Sequence, residues 1–178
     1  MEDVFQKLIL MIRAYYPVLY LHSYEYYRTK QKIKGIVELL RREGKKVNYY
    51  QWDCVYGLVQ ILPDKTEKRI ERMQNPLEVL AYILNSKKSG EKNIFVLDDI
   101  NNHIDRDEVK LMFRKIAEAT NNNTHAIILS SIYRLPAELE KYITVLQIPL
   151  PKRNELGEVL DIVAKQSKVE LKTNLRNR

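Results

Sequence analysis

Apolar residues at Val4, Phe5, Leu8, Ile9, Met11 and Ile12 recur at helical spacing, which predicts an amphipathic helix near residues 2–14, ended by Pro17. Val18 to His22 is a short β-rich run, and Ile33, Ile36, Val37, Leu39 and Leu40 then mark the buried side of a longer helix over 26–43. Residues 47–52 alternate and are rich in aromatics, the pattern of a second strand. They lead into a charged, loop-like stretch over 53–74 in which residues 58–62 suggest a hairpin. Asn75 before Pro76 is a capping residue followed by proline at the first helical position, so a helix is expected over 76–87. A third strand follows at 94–97, and Asp105 to Asp107 can cap a helix whose core candidates are Val109, Leu111, Met112, Ile116 and Ala117. Asn121-Asn122-Asn123 ends that helix, 126–129 is a fourth strand, 136–141 a short helix, 143–148 a fifth strand and 153–165 a last helix.

Uninterrupted apolar strands at 94–97 and 126–129 are what a central parallel sheet covered on both faces requires. The expected fold is α/β, a three-layer sandwich with a mainly parallel five-stranded sheet. A chain of 178 residues with 45% hydrophobic content fills one core, and no apolar run approaches the ~20 residues of a membrane span. Met1-Glu2-Asp3 lacks the basic start of a signal peptide, so a location inside the cell is expected. The single cysteine, Cys54, reads as an ordinary packed thiol. His22, His103 and His125 stand too far apart for metal-ligand spacing, and no metal site is expected.

The formal charge of +7 is uneven. Arg28, Lys30, Lys32, Lys34, Arg41, Arg42, Lys45 and Lys46 form a basic patch opposed in its stretch only by Glu38 and Glu43. Such a patch can attract phosphate backbones or an acidic partner, although the plainer reading is the solvated face of one helix. Twelve tyrosines include Tyr15, Tyr16, Tyr20, Tyr24, Tyr26 and Tyr27 around the first strand. Interleaved with basic residues they can stack nucleic-acid bases, but core and interface packing is their commoner use.

Candidate chemistry centres on Asn93-Ile94-Phe95-Val96-Leu97-Asp98-Asp99, an apolar strand ending in two carboxylates. In P-loop ATPases the first such carboxylate holds Mg²⁺, while a Gly-x-x-x-x-Gly-Lys-Ser/Thr loop cradles the phosphates. The five glycines, Gly35, Gly44, Gly57, Gly90 and Gly157, build no such loop. Only Gly44 precedes a lysine, and Leu39 and Lys46 stand where glycine and Ser/Thr belong.

Residues 12–20, Ser23-Tyr24-Glu25, Asp98-Asp99, Ile127 to Ser131 and Leu135-Pro136-Ala137-Glu138-Leu139 come in an order that resembles an AAA-type ATPase core. The likeness is to the P-loop-lacking N-terminal module of the cyanobacterial and plastid AAA-type ATPases known as a hypothetical chloroplast reading frame. It implies a degenerate AAA-like domain over 1–165, with 166–178 a basic tail or the start of a helical lid. In the family a lid and a competent ATPase module follow, so the chain is expected to be a shortened paralogue, a split gene product or an excised piece.

The resemblance assigns the degenerate nucleotide cleft to Ser23, Glu25, Asp98, Asp99 and Ser130, with Ser131 the alternative at the sensor position and His22 at the same sheet edge. Glu25 stands where phosphate would bind and repels it. The expectation is therefore a non-catalytic scaffold or regulatory module that mediates assembly or partner binding, with no cofactor, although weak binding of ATP and Mg²⁺ stays open. Asp98 and Asp99 then serve as fold relics, caps or loop anchors. Two alternatives stand beside it. The chain contributes to ATP hydrolysis within a longer or oligomeric ATPase, with Arg134 or Arg153 reaching a neighbour's site; or it is a basic nucleic-acid-binding module. Expected partners are proteins, a catalytic AAA module or a second copy, in the cytoplasm or the plastid stroma.

Overall fold

The computed structural model describes residues 4–70, 73–87, 91–119 and 123–150. Helix α1 (Val4–Arg13) buries Phe5, Leu8 and Ile12 and stops at Tyr15, whose φ of 62° turns the chain toward Pro17. Strand β1 (Val18–His22) leads into helix α2 (Tyr26–Arg42), closed by Gly44 at φ 80°, a left-handed position that suits glycine. Strand β2 (Val47–Asp53) is followed by β3 (Gly57–Ile61) and β4 (Glu67–Arg69). Helix α3 (Pro76–Ser86) begins where Asn75 Oδ1 accepts the Leu77 N–H, as the sequence predicts. Then come β5 (Lys92–Asp98), a 3-10 turn (Ile100–His103), α4 (Asp107–Glu118), β6 (Thr124–Ser130), a 3-10 turn (Ala137–Leu139) and β7 (Thr144–Gln147).

The fold is α/β, with one seven-stranded sheet in the order β4-β3-β2-β5-β6-β1-β7. The five strands read from the sequence form its parallel part, β2-β5-β6-β1-β7, and β3 and β4 add an antiparallel hairpin at the β2 edge. The sheet therefore has two strands more than expected. Glu67-Lys68-Arg69 is wholly exposed and carries no apolar signal, so its strand is set by pairing to Val59, Gln60 and Ile61.

Alternation along the strands feeds two cores. Leu19, Leu21, Tyr49, Ile94, Val96, Ile127 and Leu129 face α1 and α2. Tyr20, Tyr50, Trp52, Phe95, Leu97, Ala126 and Ile128 face α3 and α4. Tyr50 stacks on Phe95 with ring centres 4.4 Å apart, and Trp52 Nε1 donates to the Met73 carbonyl at 2.5 Å. Contacts divide the chain into Met1–Ile148 and Pro149–Arg178. The expected last helix, the boundary near 165 and the tail lie outside the described residues. Among the described residues no helix is long and apolar enough to cross a membrane.

Several local expectations are corrected. Leu39 is 40% and Leu111 45% exposed, because each lies off the stripe that buries Ile33, Ile36, Val37 and Leu40 or Val109, Phe113 and Ile116. No aspartate caps α4: Arg106 holds that position without a side-chain capping bond, its guanidinium donating to Glu108 instead, and Asp107 and Glu108 sit in the first turn, where they favour the helix dipole. The helix expected over 136–141 is a single 3-10 turn. Cys54 is exposed, because it sits in the turn between β2 and β3.

Candidate functional site

The carboxyl ends of β1, β5 and β6 meet at one edge of the sheet because the strands are parallel and in register, with His22 opposite Ser130 and Asp98 opposite Leu129. Ser130 is the hub. Its carbonyl accepts the Ser23 N–H at 2.9 Å, and its hydroxyl donates to Asp99 Oδ1 at 2.8 Å and accepts the Ile132 N–H at 3.2 Å. Asp99 itself has left-handed backbone, φ 51°, and its N–H is bound by the Leu129 carbonyl. Such a backbone state is costly for a residue other than glycine and is held here by the surrounding bonds.

Three residues, Ser23, Tyr24 and Glu25, connect β1 to α2. Ser23 is buried, shares a 2.8 Å hydrogen bond with Thr29 and accepts the Glu25 N–H, so the connection is a tight turn and not an open loop. Glu25 is the helix-capping position but caps nothing with its side chain, which accepts from Arg28 at 2.8 Å.

The first turns of α2 then cover both carboxylates. Tyr26 donates its hydroxyl to Asp99 Oδ1 at 2.5 Å and accepts the Ser131 N–H at 3.0 Å. Lys30, four residues on and so on the same helix face, forms an ion pair with Asp98 Oδ2. Asp98 Oδ1 is buried with no hydrogen-bond partner. Burial raises the Asp98 carboxyl above the usual range despite Lys30, and burial together with the bond to Asp99 raises the Tyr26 phenol.

A second set of bonds fixes the segment after β6. Tyr20 donates its hydroxyl to the Ile132 carbonyl at 2.6 Å and accepts the Arg134 N–H at 3.3 Å, and the buried Asn101 donates to the same Ile132 carbonyl at 2.9 Å.

The structure thus brings together Ser23, Asp98, Asp99 and Ser130 of the residues singled out from the sequence, while the side chain of Glu25, in the turn beside them, is taken by Arg28. His22 reaches the same edge, yet its Nε2 pairs with the Ser131 carbonyl at 3.0 Å, and Asp99 is bonded by Ser130 and Tyr26 instead. Arg134 is half exposed, with Asp105 at 3.8 Å, and Arg153 lies outside the described residues. The basic patch is not one surface. Lys30 is drawn to Asp98, Arg28 to Glu25, Lys45 to Glu43 at 3.6 Å, and Lys32 lies over the Phe5 ring. Arg42 and Lys46 are exposed, and Lys34 and Arg41 line a groove on another side of α2.

Sequence reasoning missed Tyr26, Lys30, Tyr20 and Asn101 as members of the site. For Tyr26 and Lys30 the spacing shows a shared helix face directly after the β1 turn, but not the distant carboxylates that this face meets. Among the described residues no three of His, Cys, Asp and Glu gather as a metal site.

The geometry can be set beside known proteins. A family profile described as SpoVK-like AAA ATPase, N-terminal domain, matches residues 4–148. The Uncharacterized AAA domain-containing protein ycf46 of Guillardia theta is 28% identical over 153 residues, 85% of this chain and 28% of that protein. Its namesake in Pyropia yezoensis is 25% identical over 173 residues, 97% of this chain and 33% of that protein. The chain spans a third or less of the length of these curated relatives. Among solved structures it is similar to a chain of the E. coli MS115-1 HORMA:CdnC:Trip13 complex, with a TM-score of 0.63 and 11% identity, covering 97% of this chain and 66% of that one. It is also similar to the Aeropyrum pernix ORC2 protein in ADPNP-ADP complexes, with a TM-score of 0.55 and 12% identity, covering 91% and 50%. At such identities the structural likeness is one of fold. The profile covers most of the chain, and the chain belongs to the family of SpoVK-like AAA ATPase N-terminal domains.

Proposed function

We propose that this chain is a non-catalytic AAA-like module that mediates assembly or partner binding, with its ancestral cleft closed by its own side chains. One observation carries the reading: the carboxylates ending β5 are engaged from α2, Asp98 by the Lys30 ammonium and Asp99 by the Tyr26 hydroxyl. A nucleotide triphosphate with Mg²⁺ does not fit these residues. The three-residue turn over 23–25 is shorter than the eight-residue phosphate loop, Glu25, paired with Arg28, adds a carboxylate at that turn, and the Lys30 ammonium already holds Asp98 Oδ2. The module is proposed to run over residues 1–165, and the compact unit Met1–Ile148 supports its main body. Cytoplasm or plastid stroma is the compartment that goes with this reading.

ATP turnover tests it. The purified chain is expected to hydrolyse ATP no faster than a vector-only preparation, and turnover that disappears in Asp98→Asn would overturn the reading.

A second reading is favoured by one feature, the half-exposed Arg134, whose guanidinium makes a long 3.8 Å contact to Asp105 among the described residues. In a longer or oligomeric ATPase this arginine would reach a neighbouring site and stabilise transferring phosphate. It predicts that Arg134→Ala lowers turnover of the assembled ATPase while leaving the isolated chain unchanged.

A further inference from the structure

The sheet extends two strands beyond the cover of α2, and this leaves a groove of about 430 Å³ between α2 and the turn that joins β3 to β4. Its size falls in the range of binding clefts. Leu62 and Pro63 give it an apolar rim over a floor closed by the buried Val37, Tyr49 and Ile61, while Lys34, Arg41 and Lys65 set three cations around it against one acid, Glu38. Among the described residues none of the three cations is ion-paired. Arg41 is held in place by donating Nε to the Val47 carbonyl at 3.0 Å and Nη2 to the Ile61 carbonyl at 3.4 Å, which orients its guanidinium ahead of any ligand.

Gly35 is the second observation. It lies in the middle of α2 and lines the groove, yet a Cβ built on it meets nothing within 4 Å. A glycine in a helix interior weakens the helix relative to alanine, and the chain's own packing does not require one here. The space above Gly35 suits a ligand that approaches the helix backbone closely.

We propose that this groove binds an acidic peptide segment carrying apolar residues, supplied by a partner protein. Charge complementarity selects acid over base, and the apolar rim at Leu62 and Pro63 selects side chains over bare anions. The α2 backbone amides lining the groove are spent in helical hydrogen bonds, so a compact phosphate finds no amide cradle. Lys34 and Arg41 are two helical turns apart, about 10 Å along the axis. That spread matches several residues of an extended chain and is wider than one phosphate. The inference names a partner class for the protein-binding module proposed above and rests on that reading. Its test is separate, because ATP turnover can fail or appear without altering the groove.

The test is fluorescence polarisation of a fluorescein-labelled short peptide alternating glutamate with leucine, added to the full chain. Saturable binding that weakens with salt is expected. It should fall at least tenfold in the double variant Lys34→Glu, Lys65→Glu, and equally in Gly35→Leu, which fills the groove without changing charge and favours the helix. The double variant Lys115→Glu, Lys141→Glu carries the same charge change off α2 and should bind as the parent does, with circular dichroism confirming that all variants fold. No binding by the folded parent chain, binding indifferent to Gly35→Leu, or an equal loss in the control variant would each overturn the proposal. So would displacement of the peptide by inorganic triphosphate at micromolar concentration, which would assign the groove to a small anion.

Discussion

Lys30 and Asp98 show how one residue pair changes the meaning of a motif. Breaking a mostly buried pair leaves the surviving charge without compensation, and Lys30→Met should destabilise the chain by about 2–3 kcal/mol at neutral pH, reduced from the fully buried case because Lys30 keeps some exposure. Burial already raises Asp98 above the unfolded carboxyl, and loss of Lys30 raises it further. The destabilisation is therefore full above the folded value and shrinks as pH falls and Asp98 takes up its proton. Urea midpoints of parent and variant in a pH series descending from 7 read this directly. A loss that does not shrink at lower pH contradicts the account.

His125 works in the opposite sense. It is buried, with Nδ1 on the Tyr16 carbonyl at 2.7 Å and Nε2 3.4 Å from Lys92 Nζ, and burial lowers its imidazole from 6.5 to about 4. The unfolded chain therefore binds the extra proton first. The contribution is whole above about pH 6.5 and is lost as pH falls through about 4, amounting to about 3 kcal/mol at most. In His125→Gln the unfolding midpoint should vary less between pH 7 and pH 4 than in the parent, and an unchanged slope contradicts the assignment.

At the scale of elements, the β2–β3–β4 hairpin depends on one turn. Gly57 has φ 75°, and a Cβ there would meet the Met73 backbone carbon at 3.1 Å, so Gly57→Ala combines a left-handed backbone with a collision against atoms that cannot swing aside. The expected cost is about 1–3 kcal/mol, read as a lowered urea midpoint. Gly35→Ala, with open space and helical backbone, should instead raise stability slightly. The same contrast explains what was legible. Strands β5 and β6 are continuous apolar runs and declare themselves, and Asn75-Pro76 marks the start of α3 through local chemistry. β4 has no such mark, since Glu67-Lys68-Arg69 becomes a strand only by pairing with β3. The end of α1 turns on Tyr15 in a left-handed state, which a propensity reading gives no reason to expect.

At the scale of the molecule, the parallel character of β1, β2, β5, β6 and β7 follows from apolar runs alternating with amphipathic helices, while their order is seen only in the structure, where the acidic end of β5 falls at the edge where β1 and β6 also finish. The gathering of Ser23, Asp98, Asp99 and Ser130 was readable through the family resemblance. What fills the site was not. Lys30 reads in the sequence as one member of a basic run and Tyr26 as one of a cluster of tyrosines. Their partners lie 68 and 73 residues away, and no periodicity encodes a contact at that separation. The proposed closure of the cleft rests on two independent features, the three-residue turn over 23–25 and the engagement of Asp98 and Asp99 from α2. Calorimetric titration of the chain with ATP and Mg²⁺ measures this most directly: the account predicts no saturable heat below millimolar nucleotide, and a micromolar isotherm that Asp98→Asn abolishes would contradict it.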